Sequence, residues 1–147
     1  MVSEKELRLA MSVAPNIFFN WTAAIDDRRV PATIGFFVEL AGDQEIDGSS
    51  HLNSLTHETP LPLSDLALAL DRMLDELLRS NENIAWALEH DMFRKPTIRL
   101  VRPGTFSDFL QLKLDEGSRN VGQVKVPVAL PKPEYVTWFT ERVIQEF

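Results

Sequence analysis

The sequence predicts an α+β domain: a mainly antiparallel sheet of about five to six strands with two amphipathic helices packed on it. Three observations predict it. Short runs rich in aromatic and β-branched residues, such as "NIFFNWTAAI", "PATIGFFVEL" and "PTIRLV", have strand length and composition. One long segment, "PLPLSDLALALDRMLDELLRSN", repeats its apolar residues at three and four positions. The segments follow one another as strands, helix, strands, helix, an order that suits layers rather than a bundle or a barrel. At 147 residues, with 44% apolar and 25% charged residues, the chain reads as one globular domain over residues 1–147.

From the N-terminus, Leu7, Leu9, Met11 and Val13 alternate with Glu6, Arg8, Ala10 and Ser12, the period of a half-buried strand. Ser3 followed by Glu6 also has capping-box spacing, which suits a short helix instead. The two aromatic runs then form a hairpin across the charged connection "DDRRV". A polar stretch, 41–60, follows as a loop. In the long helix Leu66, Leu70, Met73, Leu74, Leu77 and Leu78 line one face, Ser64 stands at the N-cap and Asp65 lies in the first turn. "NIAWALEH" is read as a strand from Ile84, Trp86 and Leu88, although Ile84 and Leu88 also stand one helical turn apart. "FLQLKLDE" and "QVKVPVAL" alternate as two further strands joined by a turn at "EGSRNVG". Pro127 lacks an amide proton, so its strand belongs at a sheet edge or bulges there. "PKPEYVTWFTERVIQEF" closes as a second amphipathic helix, with Pro133 at a first-turn position.

The net charge of −7 is unevenly spread. Between Glu39 and Asp91 twelve carboxylates face two arginines, whereas Met92 to Lys132 holds eight Lys/Arg against three Asp/Glu. A negative segment of this kind repels phosphate backbones and attracts basic partners. There is no cysteine, which removes disulfides, thiolate metal sites and a cysteine nucleophile. The charged N-terminal stretch does not read as a signal peptide, and no apolar run has the length of a membrane span, so a cytoplasmic protein is expected.

Motifs of catalysis are sparse. Asp43, Glu45, Asp47 and Gly48 imitate the opening of a calcium loop, but position twelve is Ser54 and a strand-like run precedes it where a helix is required. His51 and His57 lie six apart, a spacing that does not place two imidazoles on one helical face. No nucleophile elbow and no phosphate-binding glycine loop occurs. No catalytic residue, metal or cofactor is therefore assigned, and the balance is against an enzyme.

These readings converge on a small acidic protein-binding module with a basic protein partner. Asp43, Glu45, Asp47, Asp71, Asp75 and Glu76 are its contact residues, and Phe18, Phe19 and Trp21 are candidate exposed aromatics. The alternative is a metal-assisted hydrolase or ligand-binding domain built on His51, His57 and nearby carboxylates. The excess of acid weighs against nucleic acid, no membrane contact is expected, and an open strand edge or the last helix leaves a homodimer available. In size, charge and element order the chain resembles toxin-neutralising immunity proteins and the dimeric chaperones of bacterial secretion systems, with no motif carrying the likeness.

Overall fold

The computed structural model describes residues 2–13, 18–40, 63–117 and 125–147. The α+β class holds, but among the described residues the sheet has four strands and is mixed, and five helices cover it. Strands β1 (Phe18–Asp26), β2 (Thr33–Leu40), β3 (Thr97–Val101) and β4 (Val143–Glu146) lie in sequence order. β1 and β2 form the expected antiparallel hairpin across residues 27–32. β2 and β3 are parallel, and β3 and β4 antiparallel.

A parallel pair cannot be closed by a tight turn, so the chain must cross over between β2 and β3. It does so through α2 (Leu63–Ser80) and α3 (Glu82–Glu89). The long helix is the one the leucine spacing predicts, starting one residue before the expected cap at Ser64 and burying Leu66, Ala69, Met73, Leu74 and Leu77. α3 replaces the strand expected at Ile84–Leu88. Asn81 caps it, accepting from the Asn83 and Ile84 amides at 3.0 and 3.2 Å. The same Asn81 donates to Glu6 at 2.9 Å and so ties the α2–α3 corner to the N-terminal helix.

That helix, α1 (Glu4–Ser12), settles the first ambiguity in favour of the capping box: the Ser3 amide donates to Glu6 at 2.6 Å and the Glu6 amide to the Ser3 hydroxyl at 3.3 Å. Leu7, Ala10 and Met11 turn inward at helical spacing, and Leu9, an inward residue on the strand reading, is 44% exposed. "FLQLKLDE" is likewise helical, the main part of α4 (Thr105–Asp115), because Phe106 and Phe109 need to share a buried face. The last helix, α5 (Pro133–Thr140), is shorter than expected; the β-branched pair Val143 and Ile144 opens β4, which returns beside β3. Residues 125–130 run along the outer edge of β1, where Leu130 donates to the Ala23 carbonyl and Ala23 to the Val128 carbonyl, each at 2.8 Å. The strand expected over "QVKVPVAL" is reduced, among the described residues, to an isolated parallel bridge between Ala129 and Ala23; Pro127 lies along this edge, and its carbonyl accepts from Thr22 Oγ1 at 2.7 Å.

Strand alternation divides the interior into two cores. On one face Phe36, Val38, Ile98 and Leu100 meet α1, α2 and α3. On the other, Phe37 and Val101 meet α4 and α5 through a cluster of rings in which Phe109 stands 4.9–5.4 Å from Tyr135, Trp138 and Phe139. Edge-to-face and tilted rings at such spacing add to the area they bury. Phe109→Ala is expected to lower stability by about 3–5 kcal/mol, the usual cost of emptying a core phenylalanine site, measured as the shift in a urea unfolding curve.

Candidate functional site

On the α4/α5 side of the sheet, buried polar side chains gather at both ends of the strands. At the N-terminal ends of β2 and β3, the Asp26 carboxylate takes Arg28 Nε at 2.8 Å, Arg28 Nη2 at 2.6 Å and Thr97 Oγ1 at 2.8 Å. Arg28 continues to Glu146 on β4 at 2.7 and 2.9 Å, so one guanidinium straps the first strand to the last. The Arg28 hydrogen bonds, helped by Thr97, hold the Asp26 carboxyl well below the usual carboxylate range despite its burial.

Beside this strap lies Arg99 on β3, 2% exposed, with its guanidinium carbon 4.0 Å from the Phe37 ring centroid. Its Nη1 reaches Thr140 Oγ1 at 3.5 Å, while Nε and Nη2 make no hydrogen bond among the described residues. Room for it comes from Gly35, where an added Cβ would stand 2.6 Å from Nη2. Burial pushes the Arg99 guanidinium down from its ordinary value, and Asp26 and Glu146 act against that shift. This end of the sheet is built to contain charge.

The opposite end is arranged differently. At the C-terminal ends of the parallel strands β2 and β3, the first leads to α2 on one face and the second to α4 on the other. In open α/β sheets, ligands are commonly placed beside such a divergence of adjacent parallel strands. Glu39, the last buried residue of β2, fills the start of α4: its Oε1 accepts from the Gly104 amide at 2.9 Å and its Oε2 from the Phe106 amide at 3.1 Å. Gly104, at φ +85°, turns the chain so that those amides face the carboxylate.

In register with Glu39 is Asn20 on β1, next to an irregularity in the β1–β2 pairing. Bulges of this sort re-aim neighbouring side chains. Asn20 and Trp21 line a cavity of about 330 Å³ at the β1 edge. Leu110 of α4, Val126 and Val128 complete its apolar wall, and Arg8 and Lys125 supply two cations. Because Asn20 and Trp21 point to opposite faces, the cavity wraps the strand edge. A second groove, of about 350 Å³, runs between Val13 and the α2 side chains Arg72, Asp75, Glu76 and Arg79.

The residues singled out in the sequence are described only in part. Asp43, Glu45, Asp47, His51 and His57 lie outside the described residues. Asp71 and Asp75 are exposed on α2, whereas Glu76 is buried and bound to Arg79. Trp21 is half-buried, edge-on to Phe36 at a centroid distance of 6.2 Å; Phe18 and Phe19 lie on β1. His90 stacks on Trp86 at 4.2 Å. Among the described residues no three His, Asp or Glu side chains converge to hold a metal, and no helix is long and apolar enough to cross a membrane. The sequence reading missed Glu39, Gly104, Asn20 and Arg99. A lone arginine inside "TIRLV" and a glutamate closing "GFFVEL" were the available signals, since a charge within a core strand needs a partner.

A four-stranded mixed sheet with helices on both faces and a divergent pair of parallel strands defines an α+β domain. The family model of the GH3 family C-terminal domain matches residues 5–134, and the chain belongs to that family. Two solved structures share its fold at a TM-score of 0.72 and 18% identity: a GH3.15 acyl acid amido synthetase, and AtGH3.15 acyl acid amido synthetase in complex with 2,4-DB. In each case 97% of this chain is covered, but only 24% and 23% of the other, so the chain spans about a quarter of these structures. No curated protein sequence matches it. Family membership overturns the reading as an immunity-type inhibitor or secretion chaperone, and the metal-assisted hydrolase alternative falls with it. The physical source of the error is that a sequence count treats every carboxylate as hydrated surface, whereas Glu39 and Glu76 are buried against their own chain.

Two outcomes test the polar ends. The folded Asp26 value lies below the unfolded one, so its contribution is complete above about pH 5 and is lost as pH falls through about 4 and below. Asp26→Asn should therefore be less stable than the parent by about 1.5–3 kcal/mol at pH 7, with the gap closing towards pH 2 in parallel urea titrations. Glu39→Ala strips two buried amides of their acceptor and should cost about 1–3 kcal/mol. Glu39→Gln, which keeps one acceptor oxygen, should cost less in the same measurement.

Proposed function

We propose that this chain acts as the C-terminal domain of an enzyme of the acyl acid amido synthetase kind, working with a larger catalytic body. The observation that carries the reading is the family match over residues 5–134, supported by a fold shared with a quarter of two such synthetases. Amide formation from a free carboxylate is unfavourable in water and requires the acid to be activated first, in an adenylating enzyme by transfer of an adenylyl group.

The sheet end bearing Glu39, Gly104 and the β1-edge cavity is the surface this domain offers to that chemistry. It combines the divergent ends of β2 and β3 with fixed backbone geometry: the Glu39 contacts lock the start of α4 and so hold residues 102–104 in place. The Asp26–Arg28–Glu146 strap at the other end keeps the strands in register while the functional end meets its partner.

The test is an amide-forming assay on the full-length protein that carries this chain, supplied with ATP, a panel of carboxylic acids and a panel of amino acids. Expected are acid-dependent pyrophosphate release and a conjugate visible by mass spectrometry, with the conjugate falling at least tenfold on Gly104→Val, a substitution strained at φ +85°. Absence of both pyrophosphate and conjugate across the panels, from protein shown to be folded, would overturn the reading.

A further inference from the structure

We propose that the outward face of α3 docks an arginine- or lysine-bearing segment of a partner protein. The inward side of this helix buries Ile84, and its exposed residues are Glu82, Asn83, Trp86, Glu89 and His90. At 3.6 residues per turn these five fall within about 120° of arc, with Trp86 near the middle. A face that meets only water has no use for an indole at its centre, yet Trp86 is 52% exposed. The ring is also held in place: His90 stacks on it at 4.2 Å, and the His90 Nδ1 lies 2.8 Å from the Trp86 carbonyl oxygen. A ring fixed in advance loses little freedom when a partner covers its open side.

The charges around the indole break the rules of a helix end. The last turn of α3 has no Lys or Arg where the helix dipole favours a cation; Glu89 closes it and Asp91 follows. Asp91 takes φ +54°, a left-handed conformation usually left to glycine or asparagine. The turn so formed lets the Met92 amide donate to the Ala87 carbonyl at 2.8 Å, which brings Met92, 60% exposed, back beside the helix end. Residues 80–93 contain Glu82, Glu89 and Asp91 and no Lys or Arg, and among the described residues none of the three carboxylates is in an ion pair. Each of these choices costs local stability. Together they set an indole among carboxylates and the negative end of a helix, an environment that attracts a guanidinium or ammonium group, while Met92 suits its methylene stem. This surface is independent of the amide-forming reading.

The experiment titrates the 15N-labelled 147-residue chain with capped pentapeptides Gly-X-Ala-X-Gly, where X is arginine, lysine, citrulline or glutamate, and with spermidine, following the three indole N–H signals. Trp86→Ala assigns the responding signal, and Trp21 and Trp138 serve as internal controls because they lie on β1 and α5. Expected is a saturable shift confined to Trp86 with the arginine or lysine peptide, weakening as salt is added, and none with the glutamate peptide. Citrulline keeps the shape of arginine without its charge, and its peptide should bind roughly fivefold or more weakly than the arginine one.

Glu89→Gln combined with Asp91→Asn should weaken the basic peptides by about tenfold while the melting temperature stays level or rises. Both changes relieve a helix C-terminus of an anion, and asparagine accepts the left-handed backbone. The proposal is overturned if neither basic peptide moves Trp86 saturably up to about 10 mM. It is equally overturned if the citrulline peptide binds as well as the arginine one, or if the folded double variant binds unchanged or melts lower. Spermidine binding as tightly as the peptides would assign the face to a free polycation and also overturn it.

Discussion

The parallel pairing of β2 with β3 is the constraint on which the remaining architecture depends. Because adjacent parallel strands cannot be joined by a turn, the chain between Leu40 and Thr97 has to leave the sheet and return. α2 and α3 lie on that return path, and their leucines fill one face against Phe36, Val38, Ile98 and Leu100. The alternate side chains Phe37 and Val101 are then left uncovered, and the chain beyond β3 has to cover them. α4 and α5 do so with a ring cluster, and β4 closes the sheet beside β3.

Electrostatics sharpen this arrangement rather than create it. Both sheet ends on the α4/α5 face hold a buried carboxylate, but with opposite kinds of partner: a guanidinium and a hydroxyl for Asp26, two backbone amides for Glu39. Arg99 lies along the same face. Burying a cation with no ion pair among the described residues costs several kcal/mol, of which stacking on Phe37 returns about 2. What the residue supplies is register. Sliding β3 by one position would turn Arg99 into the core formed by Met73 and Leu77 and put Ile98 beside the Asp26 strap, two errors from a single slip.

Where the sequence was legible, the local pattern and the tertiary environment asked for the same thing. The β1–β2 hairpin, β3 and α2 each carry an unambiguous period or composition, and the structure keeps them. The misread segments α1, α3 and α4 share one property: their apolar residues satisfy periods of both two and 3.6 over a short window. Leu110, Leu112 and Leu114 alternate convincingly, yet all three are half-buried, and the residues that fix α4 are Phe106 and Phe109, three apart. What decided between the periods was the cap, Ser3 with Glu6 for α1, Asn81 for α3, Gly104 with Glu39 for α4. The first two caps are local and were visible; the third joins residues 65 apart and was not. For α5 the apolar spacing continued past the true helix end, because Val143 and Phe147 suit the second strand period equally well.

The site was less legible than the fold for a related reason. Most positions in these two cores ask only for an apolar side chain of suitable volume, a demand many sequences meet, so a fold can be shared at 18% identity. The exacting positions are few and scattered: a positive φ at Gly104, a missing side chain at Gly35 to admit Arg99, a carboxylate at Glu39 to receive two amides. Each is explained by local geometry, so none stands out as a motif in the sequence. The charge count misleads for the same reason. Glu39 and Glu76 enter the tally of acidic surface on equal terms with the exposed Asp71 and Asp75, although they face inward, one organising a helix start and the other bound to Arg79.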